Sequence, residues 1–138
     1  MGNYYSMRKG IKILVLVCIV GLMSFTKKDC SILKDNHFTY RNAKKDVLVI
    51  FKGKEHIEYH NDKAHFIKSE IEWLSDCEYN LIIKEATLPN FPFKMGTKMH
   101  IVVNKVRGRK VYYTSTLGGR SWEVRLTKIN NEVHFLVR

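Results

Sequence analysis

Three two-residue turns near the C-terminus constrain this chain more than anything else in it. Gly108-Arg109, Gly118-Gly119 and Asn130-Asn131 carry the residue types that tight β-hairpins demand. Pairing outward from them sets Val106 opposite Val111, Val111 opposite Leu126, and Tyr113 opposite Val124. It also sets Leu126 opposite Phe135 and Val124 opposite Val137, and all of these lie on one face with Trp122. The other face collects Lys110, Thr114, Thr116, Ser121, Glu123, Arg125, Thr127 and His134. A slip of one residue would turn every side chain to the wrong face, so this coherence argues for the register. Met99, Ile101 and Val103 break the pattern by falling on the polar face. A bulge, or a strand buried on both sides, would account for them.

The same reading extends upstream. Thr26–Asn36 is polar and irregular, His37–Tyr40 reads as a short strand, and Arg41–Lys45 as a basic turn. Val47–Phe51 is an unbroken β-branched run, the mark of a strand buried on both faces or closing a barrel. A turn at Asn61-Asp62 pairs Tyr59 with Ala64 and Ile57 with Phe66, and leaves Glu58 and His65 on the opposite face. Ile71 and Trp73 lead a core face into a turn at Ser75-Asp76-Cys77, and Tyr79, Leu81 and Ile83 lead it out again. No helix-period stretch of useful length follows the N-terminal segment. The expectation is an all-β single small antiparallel domain, an up-and-down barrel or two-sheet sandwich of about eight strands. Sequential hairpins favour the barrel. At 138 residues the chain suits one domain.

The N-terminus reads as an export signal. Arg8, Lys9 and Lys12 precede the apolar run Ile13–Phe25, which is shorter than the ~20 residues that cross a bilayer core. Ser24-Phe25-Thr26 supplies a small-x-small cleavage site, so 1–26 is the expected signal peptide and 27–138 the β domain, with Met7 as an alternative start. An uncleaved anchor is the rival reading. Met1-Gly2-Asn3-Tyr4-Tyr5-Ser6 also fits a myristoylation pattern, which the apolar run that follows argues against. Losing the three basic residues of the leader takes the formal charge from +11 to +8. That excess favours anionic surfaces such as phospholipid head groups, although the basic residues are scattered. Export implies the periplasm or outer envelope. It also leaves Cys30 and Cys77 as an even pair in an oxidising compartment. A bridge between them would contribute roughly 3–4 kcal/mol by closing a long loop; two separate thiols are the alternative.

Catalytic and metal chemistry find little support. Of the six histidines, His56, His60 and His65 surround the first hairpin. On a strand His56 and His60 stand roughly 13 Å apart, too far to share an ion. They read as exposed or hydrogen-bonded side chains, with His65 across from Glu58. Glu70 and Glu72 point away from Trp73, and Asp76 and Glu78 flank a turn. No nucleophile elbow or phosphate loop is present, so no enzyme activity, metal or cofactor is expected. Tyr112, Tyr113 and Trp122 on a basic β surface suggest single-strand nucleic acid binding. Two of those rings fall on the core face, and export argues against the partner.

Leu88-Pro89-Asn90-Phe91-Pro92-Phe93 is the candidate site. Its two prolines restrict the backbone, so Phe91 and Phe93 are presented with little entropy left to lose. They either plug one end of a barrel or, with Asn90, hold a small apolar or amphipathic ligand at its mouth. A structural protein gripping an envelope partner or an anionic membrane through those rings is the second class of reading.

The stretches W-L-S-D-C-E-Y and T-L-P-N-F-P-F-K-M-G, with the later Y-Y and W, resemble a family of small exported proteins of Bacteroidetes. Trp73, Asp76, Cys77, Glu78, Tyr79, Asn90, Phe91, Pro92, Phe93, Gly96 and Trp122 carry the likeness, which spans Cys30–Lys128. The resemblance implies an envelope location and a paired Cys30 and Cys77. Some look-alikes are labelled DNA topoisomerase IV, a label that neither the length of this chain nor any strand-cleaving tyrosine context supports.

Overall fold

The computed structural model describes residues 28–131. Eight antiparallel strands run β1 (His37–Asn42), β2 (Lys45–Lys52), β3 (Glu55–His60), β4 (His65–Ser75), β5 (Glu78–Ala86), β6 (Lys98–Arg107), β7 (Lys110–Leu117) and β8 (Arg120–Ile129). Each pairs with the next, and β1 pairs with β8 through His37–Ile129, Phe38–Lys128 and Thr39–Thr127. The result is a closed up-and-down barrel, not a sandwich. Closure removes every sheet edge.

The C-terminal register is the one that the turns dictate. Val106 faces Val111, Val111 faces Leu126 and Tyr113 faces Val124. Gly118 and Gly119 both take positive φ (57° and 77°), the backbone that a primed two-residue turn requires. A register shift between Val103 and Lys105 resolves the anomaly in β6. The bulge spends Asn104 without a partner position, so Ile101 and Val103 turn inward and are buried. The expected pairings with Phe135 and Val137, and the placement of His134, lie outside the described residues, as does the expected signal.

Upstream, Val47, Val49 and Phe51 enter the core, and Leu48 is covered as well. The Arg41–Lys45 turn contracts to Ala43-Lys44, because Arg41 and Asn42 pair with Asp46 and Lys45. The β3–β4 turn is longer than two residues: His60 pairs with His65, and Tyr59 with Phe66 rather than Ala64. Asn61, Asp62 and Lys63 all take left-handed backbone, and the Ala64 amide donates to the Asn61 carbonyl at 3.1 Å. Asn and Asp tolerate that region better than most residues, which lets the loop lengthen. The shift by two residues keeps the parity of the faces, and the inward face of β3 is the polar one. His56 and His60 point inward and are buried, while Ile57 and Tyr59 alternate to the outside.

Thr26–Asn36 is not wholly irregular. Cys30–Leu33 forms a 3-10 turn, capped by Asp29, whose carboxylate accepts from the Ser31 amide at 3.1 Å. Leu33 is fully buried and packs with Phe38, Phe51 and Tyr79 to fill one end of the barrel. Phe51 meets Phe38 edge-on at 5.6 Å and Tyr79 at 6.1 Å, and Trp73 leans on Tyr79 at 4.9 Å. The Cys30–Cys77 disulfide, S–S 2.03 Å, fastens this plug to the β4–β5 turn. Lys28 Nζ donates to the Val103 carbonyl at 3.0 Å and adds a second tether.

Replacing Cys30 and Cys77 together by serine should lower the unfolding free energy by about 2–5 kcal/mol. Leu33→Ala should cost a similar amount, about 2–5 kcal/mol, by emptying the plug. Urea unfolding followed by circular dichroism measures both, and a loss below about 1 kcal/mol for Leu33→Ala would mean that the turn does not seal the barrel.

Candidate functional site

The plug fills one end of the barrel; the other end is hollow. Ala43-Lys44, Asn61–Ala64, the β5–β6 loop and Gly118-Gly119 all connect strands at this second end. Beneath them lies a cavity of about 290 Å³. Ile67, Leu81, Met99, Ile101 and Val124 form its apolar wall. Tyr40, Glu58, His60, Ser69 and Ser115 supply polar atoms. Phe91, Phe93 and Trp122 stand around it as well.

The β5–β6 loop is tied down at both ends. At its start the Phe66 amide donates to Thr87 Oγ1 and the Thr87 amide donates to the Phe66 carbonyl, both at 2.9 Å. At its end the Gly96 amide donates to the Ile83 carbonyl at 2.7 Å, and the Ile83 amide to the Thr97 carbonyl at 3.0 Å. Between these clamps Asn90 takes φ 57°, so its place is in the turn itself, exposed and away from the cavity lining. Phe91 and Phe93 are half-buried and meet edge to face at 5.4 Å. The loop thus sets a rigid aromatic pair against the cavity, and Trp122, 39% exposed, stands on β8 at the same end. Trp122 does lie on the inward face, as the register requires, but it is too near the rim to be core.

The polar floor is the part that sequence reasoning missed. Glu58 Oε2 accepts from Tyr40 Oη at 2.8 Å and lies 3.2 Å from His60 Nε2. A carboxylate accepts only, so the His60 nitrogen that faces it carries the proton. Burial would push the Glu58 carboxyl up, but the His60 contact, nearby His56 and the Tyr40 hydroxyl outweigh it and hold it below its usual range. Burial, reinforced by the Glu58 charge, raises the Tyr40 hydroxyl well above its ordinary value and keeps it a donor. Burial lowers the pKa of His56, whose ring packs edge-on against Phe51 at 4.8 Å. Its Nδ1 is buried with no hydrogen-bond partner among the described residues. The spacing His56-x-Glu58-x-His60 was the available signal: three titratable side chains at strand period on one face.

Other expected chemistry is dispersed. His65 faces His60 and not Glu58. Glu70 pairs with Lys84 at 3.2 Å, and Glu72 with Lys98 at 3.0 Å. Glu78 meets His100 at 2.6 Å, and Asp76 lies 3.6 Å from Lys34. Among the described residues no group of three or more histidines, cysteines or carboxylates is placed to hold a metal ion. Tyr113 is buried, so of the three rings suggested for nucleic acid stacking it is removed from the surface.

Fold and site together define a closed eight-stranded antiparallel barrel, sealed at one end and hollow at the other. Comparison with known protein families, curated proteins and solved structures yields no match.

Acid should destabilise the protein in two stages. His56 and His37 have folded pKa values below their unfolded ones, so protonation of the unfolded chain erodes stability as pH falls below about 6.5. The Glu58 contribution is complete above its unfolded value, about 4.3, and is lost as pH falls through the depressed folded one. Melting followed by circular dichroism across this range checks the sign, and His56→Gln should flatten the upper stage. A melting temperature that does not move between pH 7 and about 5 would contradict the assignment.

Proposed function

We propose that the protein is an exported, non-catalytic binding module of the periplasm or outer envelope. It holds a small apolar or amphipathic ligand in the barrel beneath Phe91 and Phe93. The observation that carries this reading is the asymmetry of the interior: one end packed solid, the other a cavity of about 290 Å³ with apolar walls and a few polar groups. Barrel mouths are a common place for small-molecule sites, and an apolar pocket with sparse polar groups is their usual character. The volume sits at the lower edge of the usual range, about 300–1,000 Å³, which implies a small ligand.

Native mass spectrometry of protein purified from the periplasm tests the reading. A co-purified mass that leaves on unfolding supports it; protein that is always apo and binds no amphiphile argues against it. Phe91→Ala should weaken binding by about ten-fold, the effect of losing an aromatic anchor of ~1.4 kcal/mol or more, while stability changes little. Large destabilisation with unchanged binding would make the ring a plug.

A second reading rests on the outer face of β6–β8. Lys105, Arg107, Lys110 and Arg125 surround Tyr112, and Lys105 Nζ lies 5.8 Å from the centre of its ring. Such a face suits an anionic membrane surface. Charge reversal at Lys105 and Arg125 should then abolish co-sedimentation with vesicles rich in anionic phospholipid, and added salt should do the same to the wild type.

A further inference from the structure

The chemistry of the cavity floor narrows the class of ligand. Both hydrogen-bonding contacts of the Glu58 carboxylate converge on Oε2. Among the described residues Oε1 takes no hydrogen bond, although 17% of the side chain remains accessible. Glu58 lies in the barrel wall and lines the cavity, so that accessible surface belongs to the hollow end. A buried carboxylate with an unused oxygen is costly unless something donates to it.

Among the described residues no lysine or arginine lines the cavity to do so. The lysines and arginines among the described residues lie on the outside, where salt screens them over a Debye length of about 8 Å. Among the described residues the other polar groups of the lining are the hydroxyls of Ser69, Ser115 and Tyr113, the Asn42 carboxamide and the indole N–H of Trp122. The hydroxyls and the carboxamide are neutral and can donate or accept, so it is the Glu58 carboxylate that gives this floor its negative charge. A fatty acid would bring a second negative charge to it, in a setting where like charges repel more strongly than in water. A protonated amine brings three donors and the opposite charge.

We propose that the cavity takes a small amphipathic amine, its alkyl or aryl body against Leu81, Met99 and Ile101 and its ammonium on Glu58 Oε1. This rests on the reading of the hollow end as a ligand site and adds the sign of the head group. At about 30 Å³ for a water-sized group, 290 Å³ holds about ten such groups, so octylamine is a probe of suitable size.

Titration calorimetry at pH 7 with octylamine, 1-octanol and octanoate tests the proposal on the wild-type protein. The expected order is octylamine tightest, by about ten-fold over 1-octanol, with octanoate weakest. In Glu58→Gln the ratio of amine to alcohol affinity should collapse towards one. Equal or tighter binding of 1-octanol or octanoate to the wild type overturns the amine assignment and leaves the cavity reading standing. Amine preference that survives in Glu58→Gln also overturns it, because the cation then sits elsewhere. If none of the three probes binds, the cavity reading falls with it. The wild-type ranking decides the matter even if Glu58→Gln does not fold.

Discussion

Closing eight strands into a ring is the constraint on which the rest of this structure depends. The ring satisfies every backbone group that an open sheet would leave at an edge. It also sets an interior about as wide as the side chains that point into it, so the size and polarity of those side chains decide whether the barrel is solid or hollow. In this protein the answer differs along the axis. Phe38, Phe51, Tyr79 and Leu33 fill one half; Ser69 and Ser115, with their small side chains, stand in the wall of the other.

The two ends are built by different means. One is sealed by a single turn of 3-10 helix whose Leu33 is fully buried and whose Cys30 is bonded to the β4–β5 turn. That turn lies outside the sheet, so covalent attachment supplies what strand pairing does not. The other end is covered by a loop stiffened by Pro89 and Pro92 and clamped by backbone bonds at Thr87 and Gly96. A rigid loop presents Phe91 and Phe93 without losing much entropy when something packs against them. The sealed end gives the barrel its core, and the hollow end keeps apolar surface accessible beside a charge.

Glu58 shows how far the interior departs from a simple core. Its charge is sustained by Tyr40 on the neighbouring β1–β2 pair and by His60 on its own strand. Replacing such a set with apolar residues is often neutral or stabilising, whereas removing one partner leaves a buried charge uncompensated. Burial acts in the other sense on His56, two residues away in the aromatic half, and lowers its pKa.

Much of the fold was legible from the chain alone. Turn chemistry at Gly108, Gly118 and Gly119 and strict alternation along β7 and β8 determined the hairpins and their register, because strand period ties every residue to one face. The anomaly at Met99–Val103 announced the β6 bulge, and the proline-rich loop announced a fixed aromatic pair. Alternation misled only at β3, where Ile57 and Tyr59 look like the core face and His56, Glu58 and His60 occupy it. Binary pattern measures apolarity, not direction; direction is fixed by how β3 sits between β2 and β4 in the closed barrel. The sequence by itself therefore determined strands, turns and the rings of the loop. Only tertiary closure decided that a carboxylate with its two partners would line the cavity under those rings, because Tyr40, Glu58 and Trp122 meet only when the ring of strands is complete.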